Sequence, residues 1–231
     1  MSERYFASSP IESETVELDE NESRHLSKVM RRKTGDVISV FDGSGAEFTA
    51  TVVTISKKSV EISIDARHEV DRELPHSVEL AVALPKGDRQ RWLIEKCVEL
   101  GVSRLVPLET SRGVAQPVEK AIARLQRAVI EASKQCRRNR LMVIASPMSI
   151  AEFSETSSDD VVRWIAHPTG ELIRDANGQS GGVHCLIGPE GGFTDEEVAT
   201  AESTGFQPVS FGGRILRIET AALYAAVVAG R

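Results

Sequence analysis

Residues 78–84 read Val-Glu-Leu-Ala-Val-Ala-Leu, a nearly continuous apolar run with no polar alternation. A strand of that kind belongs in a sheet covered on both faces, because a sheet with one wet face would show every second residue polar. This predicts a strand over Val78–Leu84 and constrains everything that follows it. The period then turns helical over Gln90–Leu100, where Leu93, Ile94, Cys97 and Val98 share a face and Gly101 stops the run. Leu105–Leu108 reads as the next strand. A long helix is expected from Pro117 to about Cys136, with Ile122, Leu125, Val129 and Ala132 as its apolar stripe. Further strands are predicted at Met142–Ala145, Val161–Ala166, Val183–Ile187 and Val209–Phe211. Between the last two, Thr194 and Glu197 frame a capping box for a helix ending at Gly205. Strands alternating with helices in this way imply a mainly parallel α/β sheet.

The first 70 residues have another texture and read mostly as short strands. A helix is predicted over Glu20–Arg32, with Asp19 as N-cap and Glu22 three residues on in the manner of a capping box. Val37–Phe41 is a strand, and Asp42-Gly43-Ser44-Gly45 offers a hairpin turn. Phe48–Ile55 and Val60–Ile64 continue the β pattern, which suits a small barrel. Asp71–Pro75 (DRELP) is a polar, proline-ended joint, so two domains are expected, 1–72 and 73–231.

Hydrophobic residues at 41% are enough for a packed core. The first fifteen residues hold no apolar run of the signal type, and Ala221–Ala229 is about half of the ~20 residues a membrane span needs. That stretch reads as a buried helix. Cys97, Cys136 and Cys185 lie far apart, giving neither metal-ligand spacing nor a disulfide framework, so the expectation is a reducing cytoplasm, with no membrane and no metal. A net charge of −6 argues against binding nucleic acid through bulk charge. Its distribution points the other way. Arg24, Lys28, Arg31, Arg32 and Lys33 form one stretch without an acid, and Lys134, Arg137, Arg138 and Arg140 form a second. Each cluster could simply complement a helix dipole, but two in an acidic chain favour phosphate contact.

Two loops leave the C-terminal ends of predicted buried strands, where open α/β sheets bind ligands. The first is Leu186-Ile187-Gly188-Pro189-Glu190-Gly191-Gly192-Phe193 and the second is Gly212-Gly213-Arg214-Ile215-Leu216-Arg217-Ile218-Glu219-Thr220-Ala221. Neither is a GxGxxG fingerprint nor a GxxxxGK[ST] phosphate loop. Either alone could be only a turn. Together they suggest a pocket of main chain for a small uncharged or zwitterionic cofactor, and His167-Pro168, following another buried strand, could line it.

The GPEGGF segment followed by GGRILRIETA is very similar to the paired C-terminal motifs of the RsmE-type methyltransferases, within the SPOUT (α/β-knot) superfamily. The resemblance covers nearly the whole chain. Arg4-Tyr5-Phe6 and the run His25, Val29, Arg31, Gly35, Asp36 resemble that family's N-terminal PUA-like barrel. Lys86-Gly87, Lys96, Glu99-Leu100-Gly101 and Pro107-Leu108 match its central pattern, as do Arg112, Glu131, Gln135 and Arg138-Asn139. The resemblance implies a trefoil-knotted, mainly parallel sheet behind a PUA-like β-barrel. It also implies S-adenosyl-L-methionine held bent by the knot loops, and a homodimer whose RNA site spans two subunits. The implied reaction is methylation at N3 of a uridine in 16S rRNA within the assembled small ribosomal subunit. Cofactor contacts would then fall on His167, Ile187, Gly188, Pro189, Glu190, Gly191, Gly192, Gly212, Ile215, Leu216, Arg217, Thr220 and Ala221. Four positions depart from the family: Ser111 and Gly113, where Ser111-Arg112-Gly113 stands for Glu-Arg-Ser, Lys134 for an acid and Ile218 for a threonine.

For the chemistry, a donor near uracil O2 or O4 would stabilise the developing anion, a task for Arg217 or Arg138, with Glu219 organising the pocket. Glu219 reads equally well as a helix N-terminal acid favoured by the dipole. Glu190 is either a loop-to-helix acid or a carboxylate that favours the sulfonium. Arg4, Arg31, Arg32, Arg112 and Arg138 are the expected phosphate contacts, against a reading as solvated surface charge. His25 reads as a packing residue. Two other readings stay open: a knotted methyltransferase for another RNA or base atom, and a ribosome-assembly protein that binds RNA without catalysis.

Overall fold

The protein is described by a computed structural model covering residues 4–113, 119–156, 160–174 and 181–231. It falls into two units, Met1–Glu73 with Ile130–Leu141, and Leu74–Val129 with Met142–Arg231. The segment Ile130–Leu141, which a single boundary after residue 72 leaves in the C-terminal half, therefore belongs with the N-terminal unit.

In the first unit the strands are β1 (Arg4–Phe6), β2 (Thr15–Leu18), β3 (Val37–Phe41), β4 (Ala46–Ile55) and β5 (Val60–Glu69). They form one sheet in the order β1-β3-β4-β5-β2, with β1 parallel to β3 and the other pairs antiparallel. Alternation along β4 turns Ala46, Phe48, Ala50 and Val52 inward. Two register shifts between β4 and β5 curl the sheet around a core of Tyr5, Leu18, Leu26, Val40 and Ile62. The predicted Glu20–Arg32 helix is realised as α1 (Glu20–Arg24) and a π-helical turn, His25–Val29. Asp19 caps it by accepting from the Glu22 amide at 2.9 Å. Glu22 does not complete the box, because Lys134 Nζ, 2.8 Å away, claims its carboxylate.

Much of the second basic cluster is spent inside this unit. Lys134 is 3% exposed and pairs with Glu22. Arg138 is buried and its Nη2 donates to Glu73 Oε2 at 2.6 Å. Arg4 is buried too, donating to the carbonyls of Ser133 and Arg138 and to Asn139 Oδ1, with its guanidinium 4.0 Å over the Phe41 ring. Burial pushes the Arg4 guanidinium down to about 10, a value at which it stays charged at neutral pH. Arg4 and Arg138 are thus corrected from surface phosphate contacts to internal struts, because both guanidiniums are buried and hydrogen-bonded within this unit.

The second unit alternates strands and helices: β6 (Val78–Val82), α2 (Arg89–Glu99), β7 (Arg104–Pro107), α3 (Glu119–Cys136), β8 (Val143–Ile144), α4 (Ile150–Glu155), β9 (Val162–Leu172), β10 (Val183–Ile187), α5 (Asp195–Ser203), β11 (Gln207–Ser210) and α6 (Ile218–Ala229). Only the last part of α3 joins the first unit. Pro117, its expected start, lies outside the described residues. The sheet order is β11-β9-β10-β6-β7-β8, and every pairing is parallel. All five residues of β10 are buried, as a central strand with helices on both sides requires. The Thr194/Glu197 capping box forms as expected, while α4 opens on a Ser149/Glu152 box. No helix among the described residues is long and apolar enough to cross a membrane.

Candidate active site

Three strand ends meet at one edge of the second unit. β10 delivers the Gly188–Phe193 loop, β11 delivers the Phe211–Arg217 loop, and β9 contributes a detour between them. Pairing of β9 with β11 runs Trp164–Ile165 against Gln207–Pro208, then resumes at Glu171–Leu172 against Val209–Ser210. Residues 166–170 are therefore looped out of the ladder, and Ala166, His167 and Pro168 turn into a cleft of about 480 Å³. The cleft is lined by both glycine loops, with apolar walls from Ile187, Phe193, Val209, Phe211 and Ile218.

The first loop is fixed from several sides. Its turn closes with the Gly192 amide donating to Pro189 O at 2.9 Å. Phe193 is buried in the core, and a Cβ on Gly188 would stand 2.9 Å from its ring. Arg112 Nη1 donates to Gly191 O at 2.8 Å, and the Ser111 amide donates to Glu197 Oε1 at 2.7 Å. The second loop enters α6 with Arg217 in extended backbone as N-cap and Ile215 95% exposed. At Gly192 and Gly212, with φ of 69° and 108°, nothing stands within 4 Å of where a Cβ would be. Both glycines leave main chain facing open space.

Of the residues expected at a cofactor, the cleft brings together His167, Ile187, Gly188, Pro189, Glu190, Gly191, Gly192, Gly212, Ile215, Leu216 and Ala221. Arg217 and Thr220 are exposed and lie outside its lining. Glu219 is buried behind the cleft, its carboxylate 3.5 Å from Arg89 Nη1. Arg89 also pairs with Glu190 at 3.1 Å, so one guanidinium at the start of α2 holds an acid from each loop. Sequence reasoning missed Arg89. The Lys86-Gly87 match ended two residues short of it, and nothing local shows that both its partners are acids more than 100 residues on. The Arg138 guanidinium is bound to Glu73 in the first unit. Arg31 is exposed and Arg32 half-buried, both at the end of the π-helical turn of the first unit. His25 packs against Tyr5, with ring centroids 5.9 Å apart.

Among the lining residues Glu190 is the one carboxylate and Arg214 the one guanidinium, with the His167 imidazole beside them. An apolar slot walled by glycine-rich main chain, with a carboxylate and a guanidinium on its lining, suits a flat, largely uncharged ring carrying a zwitterionic tail. No group of metal-binding side chains occurs among the described residues.

Comparisons with known proteins agree in detail. Residues 72–230 match the RNA methyltransferase domain family and residues 18–65 the RNA methyltransferase PUA domain family. The ribosomal RNA small subunit methyltransferase E of Synechocystis is 34% identical over 214 residues, covering 90% of this chain and 70% of that one. Its Bacillus subtilis namesake is 30% identical, covering 93% and 89%. The crystal structure of the Neisseria gonorrhoeae ribosomal RNA small subunit methyltransferase E bound to S-adenosyl methionine superposes with a TM-score of 0.89 at 32% identity, covering 98% of this chain and 95% of that one. With both units matched in order and the glycine-loop cleft in place, the chain belongs to the ribosomal RNA small subunit methyltransferase E family, with a PUA-like sheet followed by a parallel-sheet α/β RNA methyltransferase domain.

Proposed function

We propose that the protein transfers the methyl group of S-adenosylmethionine to N3 of one uridine in 16S rRNA, acting as a homodimer on the assembled small subunit in the cytoplasm. The observation that carries this reading is the cleft formed by the two glycine loops and the β9 detour, lined by main chain with one carboxylate and one guanidinium. Its residues fit the cofactor: the apolar walls suit adenine, the glycine loops present main chain in place of bulky side chains, and the open space at Gly192 and Gly212 admits it closely. When bound, the cofactor supplies an electrophilic methyl on a positive sulfonium.

The chain must then do three things. It must place uracil N3 in line with that methyl, a contribution of up to ~7–11 kcal/mol in well-oriented cases. It must exclude competing water, for which the apolar walls serve. It must stabilise the uracil anion left when N3 gives up its proton, and Arg217, exposed at the N-cap of α6 beside the cleft, is the donor for O2 or O4. Glu219 acts through Arg89 as a positioning residue, tying α6 to the Glu190 loop. A second copy would cover Ile215, whose exposed apolar side chain otherwise stands in water at the rim.

The test is transfer of labelled methyl to small subunits lacking the modification, with naked 16S rRNA alongside and nucleoside mass spectrometry of the product. N3-methyluridine on the subunits is the expected result. Cofactor binding without transfer to either substrate would remove 16S rRNA as the target. S-adenosylmethionine at 100 times its Kd should stabilise the fold by about 2.7 kcal/mol, and a scaffold without a cofactor site would show no such shift. Arg217→Ala should lower kcat by about 10²-fold or more with cofactor affinity unchanged. Full activity in that variant would end the anion-stabilising role.

A further inference from the structure

Among the described residues, the non-glycine positions with left-handed backbone are both arginines, Arg31 at φ 54° and Arg137 at φ 65°. Each sits where the chain leaves a helical segment, Arg31 after the His25–Val29 turn and Arg137 directly after α3. Glycine is the usual residue there, because a Cβ in left-handed backbone crowds the neighbouring carbonyl. The fold gains nothing visible in return. Both side chains are exposed, and neither makes a hydrogen bond or ion pair with a described residue. Arg137 contributes only its carbonyl, which accepts from Arg72 Nη1 at 3.1 Å.

The neighbours sharpen the contrast. Lys134 and Arg138, on either side of Arg137, are buried against Glu22 and Glu73. The bases left facing water at this end of α3 are Arg137 and Arg140. Around Arg31, Arg24, Lys28 and Lys33 are exposed as well. A strained backbone kept for a side chain the fold does not use points to something outside the chain. An exposed, flexible guanidinium with no acid on it fits a phosphate better than a base edge.

We propose that Arg137, together with Arg31, anchors the phosphate backbone of the RNA substrate, making the end of α3 a second RNA-gripping point of the first unit. This rests on the reading of ribosomal RNA as substrate. The test uses the full-length protein and small subunits lacking the modification, with affinity measured over a salt series. Arg137→Gly should unfold at the same or a higher urea concentration than the parent and keep its S-adenosylmethionine-induced thermal shift. Its RNA affinity should fall about 3- to 10-fold, and the slope of log K against log salt should become shallower by about 0.7–0.9. Arg31→Gly should behave likewise, and Arg137→Lys should retain the parental slope. Unchanged affinity and slope in the glycine variants, or a loss of stability in them, would overturn the inference while leaving the substrate reading intact. If the parent itself binds cofactor but no small subunit, the substrate reading fails first, and visibly so.

Discussion

Replacing Lys134 with alanine is expected to destabilise the protein by about 3–5 kcal/mol, the penalty for stranding a buried charge. The pair it breaks is almost sealed from water, with Lys134 and Glu22 side chains 3% and 8% exposed and a contact of 2.8 Å. Once the ammonium is gone, the Glu22 carboxylate keeps the Phe6 amide at 3.3 Å. Burial already holds the Glu22 carboxyl above its usual range, and Lys134 opposes that rise. Without Lys134 the value must climb further. A carboxyl whose pKa is raised on folding adds stability below its unfolded pKa and loses it as pH rises through the folded one. The deficit of Lys134→Ala should therefore shrink as the solution is acidified through the raised Glu22 pKa. Urea unfolding of parent and variant across mildly acidic to neutral pH checks this. Glu22→Gln combined with Lys134→Met, which removes both charges, should recover most of the loss. A deficit that does not change with pH would mean that the ion pair is not its source. The departure at Lys134 from the acid usual in RsmE-type chains thus has a structural account: here the base is balanced internally by Glu22.

The parallel sheet was legible because strands buried on both faces must be almost entirely apolar, and Val183–Ile187 is buried throughout and apolar but for His184. The cleft was legible because its walls are glycine clusters placed directly after such strands, a pattern local in sequence. What could not be read was the fate of charge. A sequence displays Lys134, Arg138 and Arg4 as a basic cluster and a basic N-terminus, yet their partners lie up to 135 residues away. Burial of a charge is decided by those partners, and no local pattern announces them. The same holds for Glu22, whose place in a capping-box spacing concealed a stronger claim from Lys134. Arg89 escaped for the converse reason: a lone arginine opening a helix looks solvated, although Glu190 and Glu219 converge on it.

The detour in β9 was the other unread feature, and it carries the second large effect. The strand was expected to end at Ala166. Instead the chain leaves the ladder, lines the cleft with Ala166, His167 and Pro168, and rejoins β11 at Glu171. Gly170 is the point of return. A Cβ there would stand 2.4 Å from Val209 N, 2.5 Å from Pro208 C and 2.6 Å from Pro208 O, all backbone atoms. Side chains can rotate out of such a clash, whereas a paired strand cannot. Gly170→Ala is accordingly expected at the upper end of the usual overpacking range, about 3 kcal/mol or more. The shift it forces moves both the detour and β11, hence two of the three cleft walls. A displacement near 1 Å there should lower methyl transfer by about 10²-fold, and the cofactor-induced thermal shift should largely disappear. Gly213→Ala is the contrast, since nothing stands within 4 Å of its would-be Cβ, and its unfolding free energy should stay within about 0.5 kcal/mol of the parent. Urea unfolding and cofactor titration of the two variants side by side give the answer. If Gly170→Ala matched Gly213→Ala in stability and still bound S-adenosylmethionine like the parent, the backbone contact at Pro208–Val209 would not be what holds the cleft open. If it alone lost both, the shape of the site would be traced to the absence of one methyl group.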